Sequence, residues 1–416
     1  MKILLYSLNF APELTGIGKY TGEMAKWLAE RGHDVRVVTG HPYYPEWRVH
    51  SGYKANEFRR EMWNNVTVIR CPLWVPARAN GIRRLLHLGS FACTSFLAML
   101  GQLKWRPQIV WVVEPALFCA PTALLVSRLS SARSWLHIQD YEVDAAFAMG
   151  LLKGRGLKSI ALRVESWLMQ RFHIVSTISG RMLELAAKKG VHRDQLVPLP
   201  NWVDISAIRP IRTTSVYRKT MGAGERTVVV LYSGNMGTKQ GLEVVARVAR
   251  DLSQDGEILF VLCGDGAGKD ELVQQCAGLK NVKFLALQPQ EALNDLLGAA
   301  DIHLLPQRAD AADLVLPSKL TGMLASGRPV IATALAETEL GTVITHARCG
   351  LLVPPDDPAA LAKAIRQLAG DGGRRMEMGL AARAYAEQHL DINEILDRFS
   401  SDASGQDQTR EKLNLQ

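Results

Sequence analysis

The strongest constraint in this sequence is an alternation repeated along its length. Short stretches that are largely apolar are separated by longer ones whose apolar residues recur at helical spacing. Residues 3–8, 35–39, 66–71, 109–113, 135–138 and 174–177 form the first series of short runs. Between the first two, Tyr20, Met24, Trp27 and Leu28 share one helical face, and Gly32 supplies the stop. A strand apolar on both faces has to be covered on both faces, which is the condition of a parallel sheet flanked by helices. The pattern lapses into polar residues over 206–226 and restarts with the strand 227–233. Strands 258–263, 282–285, 302–305 and 330–332 follow, with helices near 242–252 and 319–325. The expected fold is therefore α/β: two doubly wound, Rossmann-like domains facing across a cleft, 1–205 and 227–373, joined by the linker 206–226. A helical stretch at 374–400 is expected to pack across the junction, ahead of a polar tail, 401–416. At 416 residues the chain exceeds what one hydrophobic core usually serves.

Composition narrows the function classes. Apolar residues at 47% and charged residues at 22% exclude wholesale disorder. The 49 basic against 41 acidic residues leave +8, a diffuse excess that suits nucleotides or an anionic membrane surface and does not argue for nucleic acid. Six cysteines (71, 93, 119, 263, 276, 349) form no C-x-x-C pair, which argues against a disulfide scaffold or zinc module and fits a reducing compartment. The N-terminal apolar run is short and breaks into a Pro/Gly turn, so it reads as a first strand and not as a secretory signal. A cytoplasmic location is expected. Residues 85–103 hold no charge apart from His87 and follow Arg78, Arg83 and Arg84. Three readings stand: a buried helix, a helix in the membrane interface, or a marginal span.

Chemistry-bearing residues cluster where strands hand over to helices. After the first strand, Gly16 and Gly18 allow close approach of a ligand, or simply permit the turn. The spacing Gly16-x-Gly18-x-x-x-Gly22 and the Thr39-Gly40 end of strand two disfavour a nicotinamide site. After residues 227–233, the run Gly234-Asn235-Met236-Gly237-Thr238-Lys239 offers small residues and a lysine suited to a diphosphate. Gly264 ends the following strand, where bases and riboses often settle. Pro317-Ser318-Lys319 opens a helix, with Ser318 placed to cap it. Lys319 puts a cation at the positive end of the dipole, an arrangement favourable when an anion binds. His137 ends an apolar strand, either as a hydrogen-bonded structural histidine or as a site residue. Asp140, Glu142 and Asp144 follow it, to bind hydroxyls or to cap a helix. The aromatic run His41 to Trp47 stacks on a sugar, touches lipid, or is a packed loop.

The segments PELTGIGKYTGEMAKWLAERGHDVRVVT, LHIQDYEVDA, LPNWVD, YSGNMGTKQGLE and LPSKLTGMLASGRPVIA together resemble the GT-B glycosyltransferases of family 4, in the colanic-acid fucosyltransferase-type, WcaI-like branch. The likeness covers about residues 1–400. It implies hexose transfer from a nucleotide-diphosphate sugar with retention, no metal at the site, and a lipid-linked glycan acceptor on the cytoplasmic face of the inner membrane. The second domain of such enzymes holds the nucleotide and the first holds the acceptor. By position, Lys239 and Lys319 neutralise the leaving diphosphate, Ser318 and local N–H groups complete the cradle, Gly16 approaches the donor, and His137 lies near the reacting centre. Asp313 is the nearest match to the acid that contacts the donor sugar.

The chain also departs from the family pattern. Two glutamates eight apart are replaced by Leu314 and Gly322, and the arginine after the glycine of the SGN motif is Asn235, leaving Arg308 as the nearby guanidinium. The electrostatics stand without the resemblance, because fixed cations stabilise a departing diphosphate where no D-x-D occurs to clamp a metal. Two rivals remain from sequence: a nucleotide-sugar epimerase of the same architecture, and a non-catalytic sugar-nucleotide-binding protein.

Overall fold

The structure is a computed structural model that describes residues 1–77, 81–113, 116–141, 143–144, 147, 155–211, 215–237, 240–308 and 317–404. Glu142, Lys239, Asp313 and Leu314 lie outside the described residues. The chain forms two compact units, Met1–Pro200 with Ile395–Gln416, and Asn201–Glu394.

The first unit is built on an eight-stranded sheet ordered β3-β4-β2-β1-β5-β6-β7-β8. Its strands are β1 (Lys2–Tyr6), β2 (Asp34–Gly40), β3 (Arg59–Trp63), β4 (Val66–Cys71), β5 (Ile109–Val113), β6 (Arg133–Ile138), β7 (Ile174–Thr177) and β8 (Leu196–Pro198). All pairings are parallel except β3 with β4. Ile3, Leu4, Leu5, Tyr6 and the whole of β5 are buried, as the unbroken apolar runs require. β3, with the sequence RREMW, was not anticipated, since it alternates charge with half-burial at a sheet edge. It is held by Arg70, fully buried in β4, which donates to Glu61 at 2.6 Å, to the Ala11 carbonyl at 2.7 Å and to the Gly40 carbonyl at 3.1 Å. One guanidinium thus ties the loops after β1 and β2 to the sheet edge. Arg70 donates all three bonds from its fork, the satisfaction that a buried charge requires.

The crossovers to the right of β1 place the helices Gly81–Gly101, Ala116–Ser130 and Arg155–Met169 on one sheet face, because such connections are right-handed. The helix Gly81–Gly101 contains most of the stretch read three ways from sequence. Leu88, Phe91, Ser95 and Met99 face inward, and Tyr6 and Ser95 hydroxyls meet at 2.7 Å. Its other side is exposed at Ile82, Leu86 and Leu97. It is therefore apolar on its exposed side as well, and not buried all round.

The second unit has a six-stranded parallel sheet ordered β11-β10-β9-β12-β13-β14. The strands are β9 (Val228–Ser233), β10 (Ile258–Cys263), β11 (Val282–Leu285), β12 (Ile302–Leu305), β13 (Val330–Thr333) and β14 (Gly350–Val353). Residues 206–226, expected to link domains, are built into this unit: Ile208 and Met221 join its core, and Val216–Thr220 is helical. The stretch expected as one long helix breaks into Gly372–His389 and Ile392–Ser404. At the break the Val203 amide donates to the Leu390 carbonyl at 2.8 Å, and the Ile392 amide to the Val203 carbonyl at 3.1 Å.

Candidate functional site

In each sheet the strand order reverses direction once, between β1 and β5 and between β9 and β12. At such a switch point the loops on either side run apart and leave a crevice outside the carboxyl ends of the strands. The second-unit crevice holds most of the residues singled out for phosphate binding.

Lys319 opens the helix Lys319–Ala325 and reaches across to β9, where its Nζ donates to the Tyr232 hydroxyl at 2.8 Å and lies 4.2 Å from that ring's centroid. The Tyr232 hydroxyl donates in turn to the Asn235 carbonyl. Burial brings the Lys319 amine down to about 7. Among the described residues its partners are the neutral hydroxyl and ring face of Tyr232, so a bound dianion would supply a countercharge. Burial also raises Tyr232 well above the usual phenol range.

Glycine is required here for a physical reason. A Cβ on Gly264, whose φ is +146°, would stand 1.9 Å from the Gly234 carbonyl oxygen. One on Gly234 would stand 3.1 Å from Lys319 Nζ. The Gly234 amide already donates to Cys263 O at 2.9 Å, and Met236 N to Asp265 O at 2.7 Å. Gly234 therefore provides room for the lysine, and Gly264 lets the two loops touch. Asn235 sits in the same layer, its Oδ1 2.4 Å from where Gly266 would carry a Cβ. Arg308, at the end of β12, lies over Gly241 and pairs with Glu243 at 3.3 Å on the surface.

One expectation is corrected. Ser318 is in helical backbone (φ −58°, ψ −24°) and makes no side-chain cap bond, whereas a capping residue needs extended backbone. Gly322, at one missing glutamate position, lies on the same helix near Leu297.

In the first unit Gly16 opens the helix Gly16–Glu30 with φ +59° and nothing within 4 Å of a Cβ built on it, so its backbone is approachable. Gly18 packs against Glu13, which a Cβ would meet at 2.6 Å. Glu13 was not read from the sequence. Its buried carboxylate accepts from Tyr43 N at 2.9 Å, Tyr44 N at 3.0 Å and Asn9 Nδ2 at 2.9 Å, while burial pushes its pKa up. It fixes the aromatic run to the loop after β1, so that run is a packed loop, with Tyr43, Trp47 and His87 in mutual ring contact.

His137 is the last residue but one of β6, fully buried and stacked on Trp111 at 5.4 Å. Its Nδ1 meets Ser176 Oγ at 2.9 Å and its Nε2 meets the Gln139 amide at 3.2 Å. Burial lowers it to about 3, so the ring is neutral at physiological pH. With the Gln139 nitrogen donating to Nε2, the proton sits on Nδ1 and is donated to Ser176. Asp144 is in an ion pair with Lys189 at 2.6 Å, beside buried Glu165, and is a structural anchor. Asp140 is half-buried in the loop after β6.

Two families match the chain, described as Glycosyl transferase 4-like domain over residues 15–202 and Glycosyl transferases group 1 over residues 227–371. A protein of Escherichia coli strain K12, named as the colanic acid biosynthesis glycosyl transferase WcaI, is 44% identical over 413 residues. The match spans 97% of this chain and 100% of that one. The chain belongs to the GT4-like glycosyltransferases. The fold agrees. Sucrose-phosphate synthase from Thermosynechococcus elongatus superposes with a TM-score of 0.77 at 16% identity, covering 98% of this chain and 99% of that one. Anabaena HepE in complex with UDP-glucose does so with 0.71 at 17%, covering 97% and 100%. This glycosyltransferase thus has the GT-B pair of Rossmann-like α/β domains expected from the sequence, and the epimerase and non-catalytic readings are set aside.

Proposed function

We propose that the enzyme moves a hexose, best read as fucose from GDP-fucose, to a polyprenyl-diphosphate-linked sugar at the cytoplasmic face of the inner membrane. The product would enter a colanic-acid-like exopolysaccharide. The observation that carries the reading is Lys319, a half-buried amine at the β9/β12 switch point whose hydrogen-bond and ring partner among the described residues is the neutral Tyr232. The kinship to the WcaI protein supports the polysaccharide, and HepE, crystallised with UDP-glucose, supports a nucleotide sugar.

In this mechanism the bond between the anomeric carbon and the diphosphate oxygen breaks, and an acceptor hydroxyl attacks the same face, giving retention. The hydroxyl proton passes to the departing phosphate oxygen. Lys319, with Lys239 by position, stabilises the charge that develops there, so the reading assigns no metal. Gly16 brings the first loop to the donor. His137, neutral and held at both nitrogens by Ser176 and Gln139, takes no proton and acts by positioning the loop after β6 beside the sugar. Asp313, Asp140 and Glu142 are assigned to sugar hydroxyls by position. The test is transfer to polyprenyl-diphosphate-glucose from GDP-fucose beside other GDP- and UDP-hexoses, with product anomer read by NMR. Fucose added with its donor configuration supports the reading. Addition from another donor corrects the sugar, and inversion overturns the mechanism.

A further inference from the structure

The outer layer of the first unit carries an unpartnered face. The helices Gly81–Gly101, Ala116–Ser130 and Arg155–Met169 lie side by side, the middle one packed against both others. Each is apolar outward as well as inward. Ile82, Leu86, Cys93 and Leu97 follow one another at intervals of four and seven on the first, Leu125 and Leu129 at four on the second. Ile160, Val164 and Trp167 are spaced by four and three on the third. These spacings place each set on a single helical stripe. The stripes are open: Ile82 is 71% exposed, Leu97 66%, Leu129 61%, Ile160 61% and Trp167 53%. A monomer rarely leaves so much apolar surface in one layer without a use for it.

The charge pattern says what covers it. The three helices contain one carboxylate between them, Glu165, and it is buried against Lys189. Arg83, Arg128, Lys158 and Arg163 stand among the apolar stripes, and Arg171 lies 3.5 Å over the Trp167 ring. Apolar side chains rimmed by cations, with no exposed acid along the helices, complement a surface that is oily beneath and negative at its headgroups. A second copy docked by the same face would set these cations against one another across a two-fold axis.

We infer that this three-helix face docks on an anionic lipid bilayer, with Leu97, Leu129 and Trp167 entering the acyl boundary and the arginines and lysines on headgroup phosphates. The inference extends the lipid-linked acceptor reading but rests on the face alone.

Co-sedimentation of the full chain with vesicles of phosphatidylcholine, with and without half phosphatidylglycerol, tests it. No donor or acceptor is present, so its failure leaves the transferase reading intact, and failed transfer leaves this one intact. Binding is expected to the phosphatidylglycerol vesicles, weakened by high salt. Leu97→Glu, Leu129→Glu and Trp167→Glu, one per helix at exposed positions, should each weaken it at least tenfold with unchanged melting. No binding at low salt, or binding indifferent to all three changes, overturns the inference. So does a concentration-dependent dimer that the same changes disrupt, which would assign the face to a second copy.

Discussion

Lys319→Met should make this enzyme more stable at neutral pH while disabling it. Burial takes the amine from 10.5 to about 7. The group is bound to a proton more weakly in the folded state, so its ionisation opposes folding below about pH 7 and ceases to do so as pH rises toward 10.5. At pH 7 that opposition is worth at most about 4 kcal/mol. The hydroxyl bond to Tyr232 at 2.8 Å and the ring contact at 4.2 Å offset about 1 kcal/mol each. Methionine keeps the length and the helix propensity, so the net gain at pH 7 is about 2 kcal/mol, or roughly 4–8 °C in Tm for a unit of this size. At pH 10 the folded lysine is neutral while the unfolded one is still about three-quarters charged, so the opposition shrinks to under about 1 kcal/mol. The lost Tyr232 contacts cancel that, and the variant should be no more stable than the parent. Thermal unfolding of both proteins at pH 7 and pH 10 reads this directly, beside a turnover assay in which loss of the leaving-group cation costs about a hundredfold or more. A variant no more stable at pH 7, or a difference that does not change with pH, would refute the view of Lys319 as a half-buried cation whose charge a bound anion stabilises.

Further outcomes follow from the same geometry. Gly264→Ala drives a methyl into the Gly234 carbonyl at 1.9 Å and should cost roughly 3 kcal/mol or more, seen as a lower Tm. Glu13→Ala removes the acceptor for two buried amides. It should destabilise by about 2–3 kcal/mol, with faster hydrogen exchange at Tyr43 and Tyr44. Lys189→Met strands Asp144 and Glu165 and should cost about 3–5 kcal/mol by denaturant titration. His137 has its pKa lowered to about 3, so the unfolded chain binds the proton first as pH falls below 6.5. Stability should drop by up to about 1.4 kcal/mol per pH unit there, and His137→Gln should flatten that acid limb, whereas equal slopes would contradict the buried neutral ring.

The sheets were legible because their strands are buried on both sides and so carry unbroken apolar runs. β4, β10, β11 and β12 fall on the same residues in sequence and structure. β3 was not legible, since its identity as a strand depends on Arg70 from the neighbouring strand. The linker reading failed for a related reason: polar residues between Ser206 and Arg226 hide Ile208 and Met221, whose burial only the folded unit creates. At the site, Lys319 could be found from its place at a helix start. Its contact with Tyr232, 87 residues earlier, comes from the return of β12 to the side of β9. Ser318 was misread because a Pro-Ser start looks like a cap until its backbone proves helical. Glu13 escaped because a buried glutamate and a solvated one have the same letter.

The most direct measurement is the proton balance of nucleoside diphosphate binding, by calorimetry of GDP and UDP at pH 8 in buffers of different ionisation enthalpy. An amine near pKa 7 is mostly neutral there and is recharged when a diphosphate docks on it. Uptake should approach about one proton per site in the parent and vanish, with most of the affinity, in Lys319→Met. Tight binding of either nucleotide with no proton uptake, or affinity unchanged in Lys319→Met, would place the diphosphate elsewhere and contradict the site.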